Sequence, residues 1–277
     1  MVEAGKMCLI LLSYRTHEKY PVILAANRDE FYERPSAPVS LWDEVPDVIA
    51  GRDLKSGGTW LGITKQGRLA AVTNYREPES HRQNAPSRGW LVRDFLCSQE
   101  EPKAYLEKTL VKKEQYNGFN LILGDMSCLY YFSNRGSMCE LSPGFYGLSN
   151  RLLNTPWPKV EKGKKAFELL LSGTDNPRSE DIFTILSDKS KPDDSTLPDT
   201  GIGLEWERIL SSIFITSPVY GTRSSSVIMV DRKNHVIFIE KVFDAQPEPW
   251  MVVKFDFSIY KEFNQNEKKE WRYNVKT

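Results

Sequence analysis

The sequence predicts an α+β fold in which sheets stack on one another and helices cover their outer faces. Strand hairpins occupy both ends of the chain, and the helical segments lie between them. The order of segments lacks the βαβ alternation that is typical of a doubly wound parallel sheet. With 277 residues, 40% of them hydrophobic, the chain is long enough to bury a sizeable core without disulfides.

The N-terminal hairpin contains two apolar runs. Met7–Tyr14 precedes a short polar loop, and Val22–Glu30 follows it. The β-branched and other apolar residues that open the second run fit a buried strand and no helical stripe. Because the loop between the runs is short, the two strands most simply pair in antiparallel fashion. This pairing places Cys8 beside the end of the second strand.

The second strand ends in four polar or charged residues. Its period-two spacing predicts Asn27 and Asp29 on one face of the sheet and Arg28 and Glu30 on the other. Burying a guanidinium and two carboxylates beside a core strand is costly unless these groups pair or do chemistry. The alternative is a strand end at which the charges emerge into solvent.

Cys8 directly follows a methionine, and this position has a known chemical use. A chain that starts at Met7 and loses that residue carries a thiol and a free α-amino group on Cys8. The amine has a reference pKa of roughly 8, so it can act as the base for its own side chain. Alternatively, a lone cysteine near a strand start is a small buried hydrophobe.

The other segments follow from the same patterns. Residues 31–58, rich in proline, and 189–203, rich in proline and aspartate, are predicted as loops. The Lys-rich face of the helix at 159–171 is predicted to be solvated. Predicted strands cover 59–64, 69–75, 118–124, 128–133, 146–150, 225–230, 235–240 and 250–259, and predicted helices cover 88–97, 102–111, 159–171 and 179–186.

Composition limits the function classes. The 37 basic and 37 acidic residues give no net charge, and no basic stripe interleaved with aromatics points to nucleic acid. Four cysteines without paired spacing, and no signal peptide, indicate a reduced, cytoplasmic chain. No apolar run approaches the roughly 20 residues of a membrane-spanning helix, and three scattered histidines predict no metal site. We expect a leader or tag over 1–6, a single domain over 7–259 and a polar tail over 260–277.

Several motifs, in their order along the chain, resemble the NRDE family, the family of the transport and Golgi organisation protein two. They are Ala26–Pro35, Gly57–Gly62, Thr73–Tyr75, Tyr116–Leu121, Tyr146–Asn150 with Thr155–Trp157, and Tyr220–Arg223. The resemblance runs from Met7 to the last predicted strand. Members of the family are linked to Golgi organisation, haem trafficking and lipid or acyl-CoA handling, so the resemblance implies a role of this kind.

The NRDE family is in turn similar to N-terminal-nucleophile hydrolases of the choloylglycine hydrolase and penicillin V acylase type. This similarity implies a four-layer αββα sandwich of antiparallel sheets. Those enzymes use an N-terminal Cys, an early Arg and Asp, two oxyanion Asn residues and a late Arg. The residues that match in this chain are Cys8, Arg28, Asp29, Asn74, Asn150 and Arg223. The early Arg and Asp are adjacent here rather than separated, which leaves open which of them faces the thiol.

The resemblance gives each matching residue a role. Arg28 lowers the pKa of the thiol, and Asp29 orients the α-ammonium group. The amides of Asn74 and Asn150 donate to the oxyanion of a tetrahedral intermediate, at roughly 3–4 kcal/mol per donor. Arg223 fixes the nucleophile or an anionic group of the substrate. The alternative is that both asparagines are turn formers and that the late arginine is a surface charge.

Two classes of function remain open. The first is an amidohydrolase that needs no cofactor and cleaves a linear, non-peptide amide through Cys8. The second is a non-catalytic binding or trafficking protein for haem or for acyl-CoA or another lipid, whose anionic groups meet Arg28, Arg34 or Arg223. Haem needs an axial ligand, and none of the histidines is an obvious one.

Overall fold

A computed structural model of the protein describes residues 8–260 and the backbone of residues 273–276. The predicted leader and most of the predicted tail lie outside these residues. The described strands are β1 (Cys8–Tyr14), β2 (Val22–Phe31), β3 (Ser36–Leu41), β4 (Val48–Asp53), β5 (Leu61–Thr64), β6 (Leu69–Asn74), β7 (Phe119–Gly124), β8 (Leu129–Ser133), β9 (Met138–Glu140), β10 (Gly144–Leu148), β11 (Tyr220–Val230), β12 (His235–Val242), β13 (Met251–Ser258) and β14 (Tyr273–Lys276). The described α-helices are α1 (Gly89–Cys97), α2 (Pro102–Lys112), α3 (Pro158–Ser172), α4 (Ser179–Leu186) and α5 (Leu204–Leu210).

Within the described ranges the strands form two seven-stranded sheets with antiparallel neighbours. The first has the order β10-β1-β2-β11-β12-β13-β14, and the second runs β3-β4-β5-β6-β7-β8-β9. In the first sheet β2 pairs with β1 on one side and with β11 on the other. Cys8 lies directly opposite Arg28, as the antiparallel prediction requires. An irregularity in β11 between Thr222 and Ser224 makes Arg223 an extra residue opposite the end of β2.

Three hydrophobic cores separate four layers. The core between the sheets includes Ile10, Leu24 and Ile122. The core between the first sheet and the helices α3 and α4 includes Leu11, Ile23 and Phe167. The core between the second sheet and the helices α1 and α2 includes Val72, Phe95 and Leu106. Because both faces of β1 and β2 are covered, β1 and the first half of β2 are almost continuously apolar in sequence. The layered α+β prediction is confirmed, and the layer order is the αββα order that the resemblance implies.

Two element predictions are wrong, and a third element, the helix α5, was not predicted. The loop prediction for 31–58 fails because β3 and β4 lie there. Pro38 sits where the register between these two strands is irregular, so the missing N–H of proline does not break the ladder. A short helix, α5, follows the predicted loop at 189–203, and β14 follows the predicted last strand and pairs with β13.

A buried ion pair ties α5 to the end of β6. Arg76 Nη1 lies 2.7 Å from Glu207 Oε2, and both side chains are almost completely buried. The guanidinium also stacks on the ring of Trp157, 4.8 Å from its centroid. The backbone N–H of Thr200 donates to the other carboxylate oxygen of Glu207 at 3.0 Å. These contacts fix the 200–207 segment beside the strand that ends at Asn74.

We expect Arg76→Met to lower the free energy of unfolding by roughly 3–5 kcal/mol, because it leaves a buried carboxylate without its ionic partner. Urea denaturation measures the loss. Arg93→Met is the matched control, since it removes an exposed pair with Asp94 and should cost less than about 1 kcal/mol. Equal losses in the two variants would contradict the structural importance of the buried pair.

Candidate functional site

A cavity of about 300 Å³ opens where the end of β2 meets the start of β1. The second sheet contributes its wall from the ends of β4 and β6, and the segment before α1 completes the rim. Four of the six predicted site residues line it: Cys8, Arg28, Asp29 and Asn74. Most of the other lining residues are polar or charged, among them Glu30, Arg34, Asp53, Lys55, Ser56, Arg82 and Arg88.

The thiol of Cys8 lies against the backbone of β2. It accepts a hydrogen bond from the N–H of Asp29, which favours the thiolate. Burial, followed by the charge of Asp29, nevertheless raises the pKa of the thiol to about 12. Arg28 lowers the pKa, as predicted, but its effect is smaller than that of burial. The thiol is therefore protonated at neutral pH in this form of the chain.

Arg28 is held by an aromatic ring and by weak polar contacts. Its guanidinium lies 4.2 Å from the ring centroid of Trp60. Its Nη2 lies 3.9 Å from Glu30 Oε2, and its Nη1 donates to the hydroxyl of Ser36 at 3.4 Å. Arg28 and Trp60 also line a second cavity of about 160 Å³. The Arg28–Trp60 stack thus forms a shared wall between the two cavities.

Asn27 and Asp29 point to the helix-covered face of the first sheet, opposite to Arg28. Asn27 Nδ2 donates to the carbonyl oxygens of Leu186 and Ile213, at 2.8 and 2.9 Å, and so anchors the end of α4. Asp29 Oδ1 accepts a hydrogen bond from the Thr222 hydroxyl at 2.7 Å. Its other oxygen, Oδ2, is buried and has no hydrogen-bond partner within the described part of the chain.

Lys159 is a site neighbour that the sequence prediction missed. Its side chain is buried at the start of α3, and Nζ has no hydrogen-bond partner among residues 8–260. Burial lowers the pKa of Lys159 to about 8 and raises that of Asp29 to about 6, and the opposite charge of each group acts against these shifts. The helical spacing could have indicated that Lys159 is buried, because it lies on the same face of α3 as Gly163 and Phe167, which are buried.

Asn150 supports Asn74 and does not line the cavity. Its side chain is fully buried, and its Nδ2 donates to the backbone carbonyl of Asn74 at 2.8 Å. The Ser149 hydroxyl lies 3.0 Å from the carbonyl oxygen of Cys8 and 3.2 Å from Asn150 Oδ1. Thr73 donates to the Ser149 carbonyl at 2.7 Å. These bonds join the ends of β1, β6 and β10, so the two predicted oxyanion residues are neighbours.

Arg223 lies in the second cavity and does not line the first. Its Nη1 donates to the carbonyl oxygens of Phe31, Tyr32 and Arg34, at 3.1, 3.0 and 3.2 Å. These carbonyls belong to the connection between β2 and β3, where the chain passes from one sheet to the other. In this structure Arg223 holds that connection and reaches neither the thiol nor the space in front of it.

Residues for a metal or a haem iron are sparse at the site. Among the described residues, no group of three or more His, Cys, Asp and Glu side chains is arranged to hold a metal ion. His81 lines the cavity rim on an exposed segment. Across the same described ranges, no helix is both long and apolar enough to cross a membrane.

Comparison with known proteins identifies the family. The family model described as "Transport and Golgi organisation 2" matches residues 7–245. The chain belongs to this family. It is 41% identical to the Bos taurus transport and Golgi organization protein 2 homolog, over 91% of this chain and 99% of the relative. The Homo sapiens homolog is 37% identical with the same two coverages, and the Drosophila melanogaster protein is 28% identical over 85% and 92%.

Solved structures show only distant similarity. A Caenorhabditis elegans ortholog of N-acylethanolamine-hydrolyzing acid amidase is 10% identical, with a TM-score of 0.48 over 80% of this chain and 92% of that chain. A mutant of the conjugated bile acid hydrolase from Clostridium perfringens is 9% identical, with a TM-score of 0.40 over 98% and 88%. The αββα layer order therefore rests on the sheets and helices of this chain itself.

The buried pair of Asp29 and Lys159 predicts a pH dependence of stability. Because the pKa of Asp29 rises from 3.8 to about 6, folding stability falls as the pH increases through this interval. Because the pKa of Lys159 falls from 10.5 to about 8, stability rises as the pH increases between these two values. Urea denaturation across pH should show both slopes in the wild type and lose them in the Asp29→Asn, Lys159→Met double variant. Parallel profiles for the two proteins would contradict this.

Proposed function

We propose that the protein is a cysteine amidohydrolase of the N-terminal-nucleophile type that cleaves a linear, non-peptide amide. The supporting observation is the meeting of Cys8, Arg28, Asp29 and Asn74 at one cavity. These are groups of the kind that acyl transfer needs: a nucleophile, a cation and a carboxylate beside it, and an amide donor. The three cysteines other than Cys8 do not line this cavity.

The reaction requires Cys8 to be the first residue of the chain. Its free amine then takes the thiol proton, and the sulfur attacks the carbonyl carbon of the substrate. The tetrahedral intermediate collapses when the C–N bond breaks and the ammonium group returns the proton to the departing amine. Water, activated by the same amine, then hydrolyses the thioester and releases the acid. An amide nitrogen at Cys8 cannot accept the proton, so this reaction needs the free amine.

The surrounding groups have separate tasks. Asn74 lines the cavity, and its side-chain amide is the proposed donor to the oxyanion. Asn150 sets the position of Asn74 through the bond to its backbone carbonyl. Asp29 has one oxygen without a partner among the described residues, which is available to the ammonium group of a processed Cys8. Arg28 favours the thiolate.

The second candidate function is binding without catalysis, in a haem or acyl-CoA trafficking protein. The basic side chains of the cavity, Arg28 and Arg34 among them, favour a ligand that carries anionic groups. A haem macrocycle needs broad apolar walls, and Trp60 and Val72 are surrounded here by charged side chains. The lining therefore suits the phosphates of an acyl-CoA better than a porphyrin. A cytoplasmic location and the single domain over 7–259 stay predictions.

We expect a chain that begins at Cys8 to react with iodoacetamide at Cys8 at least about tenfold faster at pH 7.5 than the chain with residues 1–7, because only the former has a free base beside the thiol. Peptide mapping by mass spectrometry separates Cys8 from the exposed Cys97 and Cys139. The shorter chain should also hydrolyse an acyl amide. Cys8→Ala should abolish this hydrolysis without changing the thermal unfolding midpoint by more than a few degrees.

Cys97→Ala is the matched control, since it removes a thiol outside the cavity and should leave hydrolysis unchanged. Equal, slow alkylation of both chains, together with equal acyl-CoA binding by both, would refute the hydrolase and favour the binding protein.

A further inference from the structure

The Cys8 cavity has an excess of positive charge, and two of its cations, Lys55 and Arg82, are exposed at its mouth. Five arginine and lysine side chains line the cavity against three carboxylates, although the whole chain has equal numbers of basic and acidic residues. A cleft lined by one sign of charge raises the local concentration of the opposite ion. This local excess is therefore a property of the cavity and does not follow from composition.

The carboxylates of the cavity are already engaged. Arg34 Nη2 lies 2.6 Å from Asp53 Oδ2, and Arg34 Nε lies 3.5 Å from Glu30 Oε2. Glu30 also lies 3.9 Å from Arg28. Asp29 faces Thr222 and Lys159 on the other side of the sheet. The acids of the cavity thus lie against the deep cations Arg28 and Arg34.

Two mouth cations, Lys55 and Arg82, meet no carboxylate in the part of the chain that the structure describes. The backbone N–H of Lys55 donates to Asp53 Oδ1 at 3.0 Å, which fixes the turn that carries its ammonium group. Arg82 Nη2 donates to the carbonyl oxygens of Glu114 and Tyr116, at 2.6 and 2.9 Å. These two bonds anchor the guanidinium of Arg82 through Nη2, and its other N–H groups can donate to a ligand.

We propose that the substrate of this site is a small amide whose far end carries an anionic group, bound at the mouth by Lys55 and Arg82 while the amide carbon reaches Cys8. The reacting end of this inference rests on the proposed hydrolase function. A cavity of about 300 Å³ is at the lower limit of small-molecule sites, so both ends of a compact substrate lie within it. A neutral long-chain acyl amide would leave the mouth cations without a partner.

The test uses the chain that begins at Cys8 and three matched substrates. They share one acyl amide and end in a carboxylate, a phosphonate or a neutral carboxamide. We expect the Lys55→Met, Arg82→Met double variant to lower kcat/KM at least about tenfold for both anionic substrates and to change it less than about twofold for the neutral one. Raising the salt concentration should reproduce this selective loss in the wild type. Loss for only one of the two anions identifies which anion the mouth binds.

Control variants separate charge from structure. Lys55→Arg keeps the charge and should retain most of the anion preference, and Lys165→Met, on the exposed side of α3, should have no effect. If all three substrates lose activity equally, or none does, the anion site is refuted and the hydrolase stands. If no substrate turns over, calorimetry with the Cys8→Ala variant decides. Preferential binding of the anionic compounds then supports the mouth site although the hydrolase fails, and equal binding refutes the site as well.

Discussion

The burial of four consecutive polar residues at the end of β2 is the constraint on which the rest of the structure depends. Their side chains alternate between two covered faces, so each needs a polar, charged or aromatic partner inside the fold. Asn27 takes its partners from the backbone of the helix layer, and Arg28 takes Trp60 from the opposite sheet. Glu30 forms a salt bridge with Arg34, and Asp29 accepts a hydrogen bond from the Thr222 hydroxyl. One strand end thereby fixes the docking of both neighbouring layers.

The same burial sets the chemistry of Cys8. The thiol lies next to buried charges, and its pKa rises because the thiolate is poorly solvated there. The cation beside it offsets only part of this rise. Under the proposed hydrolase function, the strand itself supplies the base, as the α-amine of a chain that begins at Cys8. Burial thus accounts both for the fixed positions of these side chains and for the raised pKa of the thiol.

Sequence patterns predicted what depends on local spacing. The apolar runs and the short loop between them were enough to predict that Cys8 lies opposite Arg28. The family resemblance predicted Asn74 as a residue of the same site, and Asn74 lines the cavity. Lys159 was not predicted as a site residue, because a lysine in a Lys-rich helix is expected to be solvated until the packing partners of that helix are known. Lys55 and Arg82 were not predicted either, since only the packing of segments distant in sequence brings both residues to the mouth of the Cys8 cavity. The position of Arg223 followed from chain order, but an irregular strand register turned its guanidinium to backbone carbonyls.

The Arg28–Trp60 stack has a consequence for the capacity of the molecule. The wall between the cavities of about 300 and 160 Å³ includes two side chains that belong to different sheets. Side chains change rotamer far more readily than paired strands change register. The volume of the two cavities can therefore change through the side chain at position 60, while the hydrogen bonds of the two sheets stay intact. A substitution of Trp60 would therefore change the length of the molecule that these cavities admit, without any change to Cys8.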